Sequence, residues 1–318
     1  MADRLQPFAD RFLRPVAVVV AYAHAHDLAA RLAALRDFVA RIVVVDNTPK
    51  QIPHSAAFRE DEYCTIIRNG NVGGLAGAYN RAIDEISRWP RIPEQVLFLD
   101  DDTDLAAVGF FLASPMSRAA TADFGVAAVA PAYVDPVTGI SGAPIRLNRW
   151  TWQALPRNLA EPTDVSFLIN SMSLWKWSAL RRIGNYRTDL GVDHVDTDYC
   201  LRALALGYRL VLDPAVKFLH PIGARRQYRF LGKTFQAGGH SPARRKSIAK
   251  NTILLTRQYG RRWPSFALLC VSRLAYEALG IVIAESDKAA KLGALVAGIT
   301  AGLVAKANRP QDTRPRPQ

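Results

Sequence analysis

Short apolar runs alternate with helically spaced stretches over the first hundred residues, and this constrains the fold more than any other feature. Residues 16–22 (VAVVVAY), 42–45 (IVVV), 63–67 and 96–99 (VLFL) read as buried strands. Between the first two, Asp27 to Ala40 carries Leu28, Leu32, Leu35, Phe38 and Val39 at helical spacing. A Gly-rich turn, RNGNVGGLAG, opens a helix running to about Ser87. Strands alternating with helices predict an α/β fold with a largely parallel sheet and right-handed crossovers. Ligands of such sheets sit beyond the carboxyl ends of the strands. Asp46, Asn47 and the run Asp100–Asp102 fall at those ends.

The second half is less regular. Residues 126–134 and 167–174 read as further strands. Residues 193–207 (DHVDTDYCLRALALG) read as an acidic-headed helix closed by Gly207. Short β pieces over 208–219 end at His220, and 221–247 read as a basic loop. Helices follow at about 245–259, 265–286 and 288–306, then a polar Arg/Pro tail expected to be disordered. The expected organisation is therefore an α/β domain over 1–240, a basic and apolar helical region over 241–308, and a tail over 309–318.

Charge separates the same two parts. Residues 1–200 hold 20 basic and 23 acidic residues, whereas 201–318 hold 21 basic and 5 acidic. The whole excess of the +13 chain lies in its C-terminal part, which points to a polyanionic partner there. Nucleic acid is not expected despite a pI near 10.0, because the basic part has no reader motif and no aromatic–basic interleaving. Three widely spaced cysteines form neither a disulfide framework nor a zinc knuckle, which favours a reducing compartment. The charged N-terminus has no apolar segment of the kind a secretory signal needs.

Three consecutive acids after a buried strand, Asp100-Asp101-Asp102, are electrostatically unfavourable without a cation. Such acids also suit a helix N-terminus, with Asp104 as a cap. The chemical alternative is a hard divalent metal held by the carboxylates and shared with a diphosphate. Asp193, Asp196 and Asp198 crowd a second helix start. An Asp198–Arg202 pair at i,i+4 accounts for one of them, and another can face a cleft as general base. His220 is structural unless it meets the acid cluster as a third ligand. Gly70-Asn71-Val72-Gly73-Gly74 is neither a Walker loop nor a strict GxGxxG, but its free amides can approach a nucleotide.

These segments together bear a resemblance. AxxVxVVDNT, NGNVGGLAGAYNRAI, FLDDDT and VDHVDTDYCLRALALGY with its following histidine resemble inverting nucleotide-sugar glycosyltransferases of the GT-A fold, family two. SFLINS, HPIGARR, HSPARRKSIAKN and ESDKAAKL are most similar to bacterial dTDP-rhamnose-dependent rhamnosyltransferases, in particular those adding the second rhamnose of rhamnolipids. The resemblance spans about residues 16–292. It implies a GT-A (nucleotide-diphospho-sugar transferase) fold, a mixed, mostly parallel sheet flanked by helices, with a C-terminal helical extension. It further implies that Asp100, Asp102 and His220 hold Mg²⁺ or Mn²⁺ and that Asp196 deprotonates the acceptor. Asp46, Asn47, Asn71, Gly73, Gly74, Asp100 and Asp101 are the matching nucleotide-sugar positions. Implied partners are dTDP-rhamnose or another nucleotide sugar, a glycolipid acceptor such as monorhamnolipid, and an anionic membrane surface. The implied location is cytoplasmic, peripheral on the inner membrane. A rhamnosyl- or galactofuranosyltransferase of polysaccharide synthesis, or an inactive sugar-nucleotide scaffold, are the alternatives. The family commonly has a Ser-Gly pair before its acceptor-side strand, where this chain has Asn170-Ser171-Met172.

Arg225, Arg226, Arg244 and Arg245 are candidates to assist the leaving diphosphate, with solvated surface charge as the plainer reading of each. Residues 265–284 are apolar but carry Arg273 and Glu277, an i,i+4 pair; 292–305 are apolar but only 14 long. Both stretches fit buried helices, or interfacial helices on an anionic leaflet.

Overall fold

The computed structural model describes residues 14–23, 28–50, 60–220, 226–230, 233–237 and 239–306. The chain divides into two compact units. The first comprises residues up to Val134 together with Arg157–His220; the second comprises Asp135–Pro156 and the chain from Pro221 to Arg309. The second unit thus begins earlier than residue 241 and recruits 135–156 from within the first half. The terminal tail lies outside the described residues.

The first unit is built on an eight-stranded sheet in the order β3-β2-β1-β4-β9-β5-β10-β8. Strands β1 (Val16–Ala21), β2 (Arg41–Asp46), β3 (Cys64–Arg68) and β4 (Gln95–Asp100) run parallel, in line with the alternation of the sequence. All six residues of β1 are buried, which is why its sequence is continuously apolar. Helix α1 (Leu28–Leu35) buries Leu28, Leu32 and Leu35. It stops at Leu35, short of the expected Ala40. Helix α2 (Gly74–Ile86) buries a broad apolar face including Tyr79, Ile83 and Ile86.

The mixed character of the sheet comes from β9 (Ser173–Lys176). It is antiparallel to both neighbours, β4 and β5 (Val126–Val134). The strand expected at 167–174 is displaced to 173–176, because Met172 turns the chain at φ 58° immediately before it. A left-handed methionine is strained. It is held there by complete burial.

The short β pieces expected over 208–219 are one strand, β10 (Arg209–Leu219), parallel to β5 and flanked by β8 (Thr163–Val165). Its register shifts between Asp213 and Lys217, so the chain bulges at 214–216. Buried Asp213 accepts from Ala215 N at 3.0 Å and from Ser114 Oγ, pinning the bulge to the start of α4 (Pro115–Ala122). Between β4 and α4 lie a 3-10 turn, Leu105–Ala107, and α3 (Val108–Ala113). Asp104 caps the turn through Ala106 N at 3.0 Å, as expected. Helices α5 (Trp177–Ile183) and α6 (Val195–Ala205) complete the unit.

Among its described residues the second unit has two hairpins and three helices. β6 (Ile145–Leu147) pairs with β7 (Trp152–Ala154), and β11 (Arg226–Phe230) with β12 (Lys233–Ala237). The span expected to be a basic loop therefore contains a hairpin. Helix α7 (Pro242–Tyr259) starts at a Ser241 cap that accepts from Arg244 N. Helices α8 (Pro264–Ala284) and α9 (Lys288–Val304) follow. Helix α9 meets α7 through Gly298 and Gly302. An added Cβ would stand 2.4 Å from Lys246 O at the first and 2.7 Å from Ile253 Cβ at the second.

A buried charge network ties these helices. Arg245, 1% exposed at its side chain, pairs with Glu277 and Glu285, and Lys291 reaches Glu285 at 3.0 Å. Arg245 is therefore not a solvated charge, and its guanidinium is already committed within this unit. Arg225 lies outside the described residues. The three cysteines are buried free thiols.

Candidate active site

The carboxyl ends of β4 and β10 carry the site. Asp100 closes β4, level with Val20 of β1. Its backbone N donates to Thr103 Oγ1 at 2.8 Å, and Thr103 N donates back to Asp100 O at 3.1 Å. This reciprocal pair folds the acid run into a tight turn. Fully buried Thr103 shares a 2.8 Å hydrogen bond with Ser171 Oγ. Asp101 accepts from Tyr22 N at 2.9 Å, anchoring the turn to the end of β1. Asp102 is exposed.

His220 follows β10, and its N donates to Val134 O at 3.0 Å, extending the β5 pairing by one residue. Its ring stands 6.1 Å from Tyr133 and 5.9 Å from Phe218. Asp100, Asp102 and His220 each offer a ligand atom, and the three atoms lie within 4.8 Å of one another. Two carboxylates and an imidazole at that spacing suit a divalent cation.

The electrostatics fit the same reading. The Asp100 carboxyl is raised to about 7, first by burial and then by the carboxylates of Asp196, Asp102 and Asp101; a hydrogen bond with Ser171 opposes the rise. Three acids beside a fourth disfavour its ionised form.

Asp196 enters from the first turn of α6, whose N-cap, His194, is left-handed at φ 69°. Its Oδ2 accepts from Asn170 N at 3.3 Å, while its buried Oδ1 has no hydrogen-bond partner. Burial raises this carboxyl to about 6. Asp198, two residues on, is fully buried and bonded to Arg202 at 2.9 Å and Arg187 at 3.5 Å. The expected Asp198–Arg202 pair is thus present, and Asp198 is occupied structurally.

The nucleotide-side candidates form a separate network at the ends of β2 and β3. Asn69 Nδ2 donates to Asn47 Oδ1 at 2.7 Å, and Asn47 Nδ2 donates to Asn71 Oδ1 at 3.2 Å. Asp46, 2% exposed, accepts from Thr48 N at 3.0 Å. Gly73 and Gly74 have φ of 71° and 64°. They also pack tightly: a Cβ on Gly74 would stand 2.6 Å from Gly191 O, and one on Gly73 would stand 2.9 Å from Thr188 Cγ2. The turn therefore seats itself against the segment that leads into α6.

The sequence did not single out Asn69, Thr103, Asn170 or Ser171 as site residues. Thr103 ended the acid motif, and Asn170-Ser171 stood out only as a departure from a family pattern. Beside the acid turn lies an open, mostly apolar groove of about 580 Å³, whose lining includes Ala107, Phe110, Pro115, Ala215, Val216 and Lys217. The bulge of β10 supplies one wall.

No protein-family model matches the chain. Among curated proteins it is similar to the dTDP-rhamnosyl transferase RfbF of Shigella flexneri, 31% identical over 97 residues. That match spans 30% of this chain and about a third, 32%, of the relative's length. Among solved structures, GalNAc-T7 with UDP, GalNAc and Mn²⁺ superimposes with a TM-score of 0.50 at 14% identity, over 77% of this chain and 48% of that one. Staphylococcus aureus TarS gives a TM-score of 0.44 at 14% identity, over 91% of this chain and 44% of the other. The class follows from the fold: the chain has the GT-A glycosyltransferase architecture, a mixed sheet flanked by helices with C-terminal helices after it.

Proposed function

We propose that this chain is an inverting glycosyltransferase that moves L-rhamnose from dTDP-rhamnose to a hydroxyl of a glycolipid such as monorhamnolipid. One observation carries the reading: three side chains able to ligate a metal converge, and Asp196, whose charge acts on Asp100, keeps a buried carboxylate oxygen with no hydrogen-bond partner. The partial likeness to a dTDP-rhamnosyl transferase supports the sugar. The GalNAc-T7 structure, solved with UDP, GalNAc and Mn²⁺, supports a nucleotide-sugar donor and a divalent cation.

In this reading Asp100, Asp102 and His220 hold Mg²⁺ or Mn²⁺. The bound cation supplies charge neutralisation at the leaving diphosphate. Asp46, Asn47, Asn71, Gly73, Gly74 and Asp101 border the nucleotide and its sugar. Asp196 accepts the proton of the acceptor hydroxyl as that oxygen attacks the anomeric carbon opposite the leaving group. The bond from that carbon to the diphosphate oxygen breaks as the new glycosidic bond forms. One displacement inverts the centre, so a β-linked donor gives an α-glycoside. A carboxylate raised to about 6 is a stronger base than an ordinary aspartate and is still ionised at neutral pH. The mostly apolar groove, whose lining also holds Asp104 and Lys217, suits an acceptor with aliphatic chains.

The test is a donor screen, dTDP-rhamnose against UDP-sugars, with monorhamnolipid or an oligosaccharide as acceptor. Reactions run with Mg²⁺ or Mn²⁺, and with chelator. Metal-dependent rhamnosyl transfer to the glycolipid is expected. Transfer to the oligosaccharide alone would reassign the chain to polysaccharide synthesis. Neither transfer nor donor hydrolysis with any sugar nucleotide would defeat the reading.

A further inference from the structure

Helix α8 is long and apolar enough to cross a membrane, yet only 28% of its apolar window is buried. Its exposed side chains form one face. Leu268, Val271, Tyr276, Leu279 and Val282 recur at helical spacing, each between 49% and 60% exposed. The opposite face packs within the unit: Ser265, Phe266, Leu269, Cys270, Gly280 and Ile281 are buried. A soluble surface rarely leaves so long an aliphatic stripe uncovered.

The surrounding charge indicates the occupant. Residues 239–306 hold eleven Lys and Arg against three Asp and Glu. Two of the three acids, Glu277 and Glu285, are drawn onto Arg245 and Lys291 in the buried network. Cations are exposed around the stripe: Arg261 and Arg262 before α8, Arg273 within it and Lys288 after it. An apolar face bordered by cations matches the boundary between acyl chains and anionic headgroups. A second copy of the same face would bring like charges together.

We propose that α8 lies flat on an anionic lipid surface, its Leu268–Val282 face in the acyl boundary and its flanking arginines and Lys288 among the headgroups. A spanning orientation is disfavoured, because it would pull Glu277 from Arg245 and place Arg273 near mid-membrane. Lying flat keeps the buried network intact and lets Arg273 extend its head toward phosphate. This proposal stands independently of the glycosyl-transfer reading.

The test uses the full chain with vesicles of phosphatidylcholine alone or containing phosphatidylglycerol. Sedimentation with the anionic vesicles is expected, weakening as salt rises. Leu268→Ser with Leu279→Ser should weaken it about tenfold or more, with an unchanged circular-dichroism spectrum. Should that variant unfold, Tyr276→Trp serves instead: brominated anionic lipid should quench more fluorescence than in the wild type. Three results would each overturn the proposal. One is equal binding to both vesicles without salt dependence. Another is no added quenching of the Tyr276→Trp variant. The third is no vesicle binding together with a concentration-dependent dimer.

Discussion

The acidic end of the sheet in the first unit and the acidic heart of the helical unit handle negative charge in opposite ways. In the helical unit, Glu277 and Glu285 are met by Arg245 and Lys291. The lysine and arginine neighbours hold Glu285 below the usual carboxylate range against its burial. At the sheet end, Asp100, Asp101, Asp102 and Asp196 gather, and Asp100 is pushed up to about 7. The same contrast recurs over two residues of α6: Asp198 holds two arginines, while Asp196 keeps an oxygen without a hydrogen bond. A protein that pairs buried carboxylates elsewhere leaves Asp100 raised by burial and by its carboxylate neighbours. The difference fits the cation site proposed at the sheet end.

Substitutions that remove charge should therefore have opposite signatures in the two settings. The largest effect is expected at Asp196. Asp196→Asn should lower transfer about 10³-fold, the middle of the range for a general base, while the thermal midpoint holds or rises. Near-normal turnover in the folded variant would refute the assignment of the base. Next comes Asp198→Asn, which takes the carboxylate from Arg202 and leaves Arg187 to Asp189, the two arginines being 8% and 6% exposed. Breaking such a buried pair costs about 3–5 kcal/mol, read as a shifted denaturant midpoint; a loss below about 1 kcal/mol would remove the contrast with Asp196. Glu285→Gln should behave like Asp198→Asn and leave donor binding unchanged.

The pH dependence is a smaller effect. Asp196 is raised to about 6, so its proton persists at pH values where an ordinary aspartate has lost it. In its proposed role as base, Asp196 is protonated below that point and cannot accept the acceptor's proton. With metal saturating, the transfer rate should rise about tenfold per pH unit below 6 and level off above 7. A flat profile from pH 5 to 7, in a range where the protein stays folded, would count against it. The smallest effect is expected at Gly74, whose Cβ would stand 2.6 Å from Gly191 O at a φ of 64°. Gly74→Ala should cost about 2 kcal/mol of stability, checked by thermal melting.

Much of this was legible in one dimension. Continuous apolar runs identified β1, β2 and β4, because strands covered on both faces carry no polar alternation. Asp100, Asp102 and His220 were marked by residue type and by position after a strand, although 118 residues separate Asp102 from His220. Less legible was β9, whose antiparallel insertion depends on strands far away in sequence. The left-handed Met172 before it carries no glycine to announce the turn. The β10 bulge was equally hidden, since its pin is Ser114, 99 residues from Asp213.

The sequence by itself determined which elements form and which residue types crowd the strand ends, because periodicity and local turn chemistry are properties of neighbouring residues. Tertiary structure alone decided which of those residues are satisfied. Asp196 and Asp198 share a helix turn, but only the fold brings Arg187 to one and Asn170 N to the other. Arg245 read as a surface cation until three helices closed around it, and α8 read equally as core or as interface until its packing left one face uncovered. The reason is physical: a helix or strand fixes which side chains share a face, whereas burial and charge compensation depend on what packs opposite, and that comes from elsewhere in the chain.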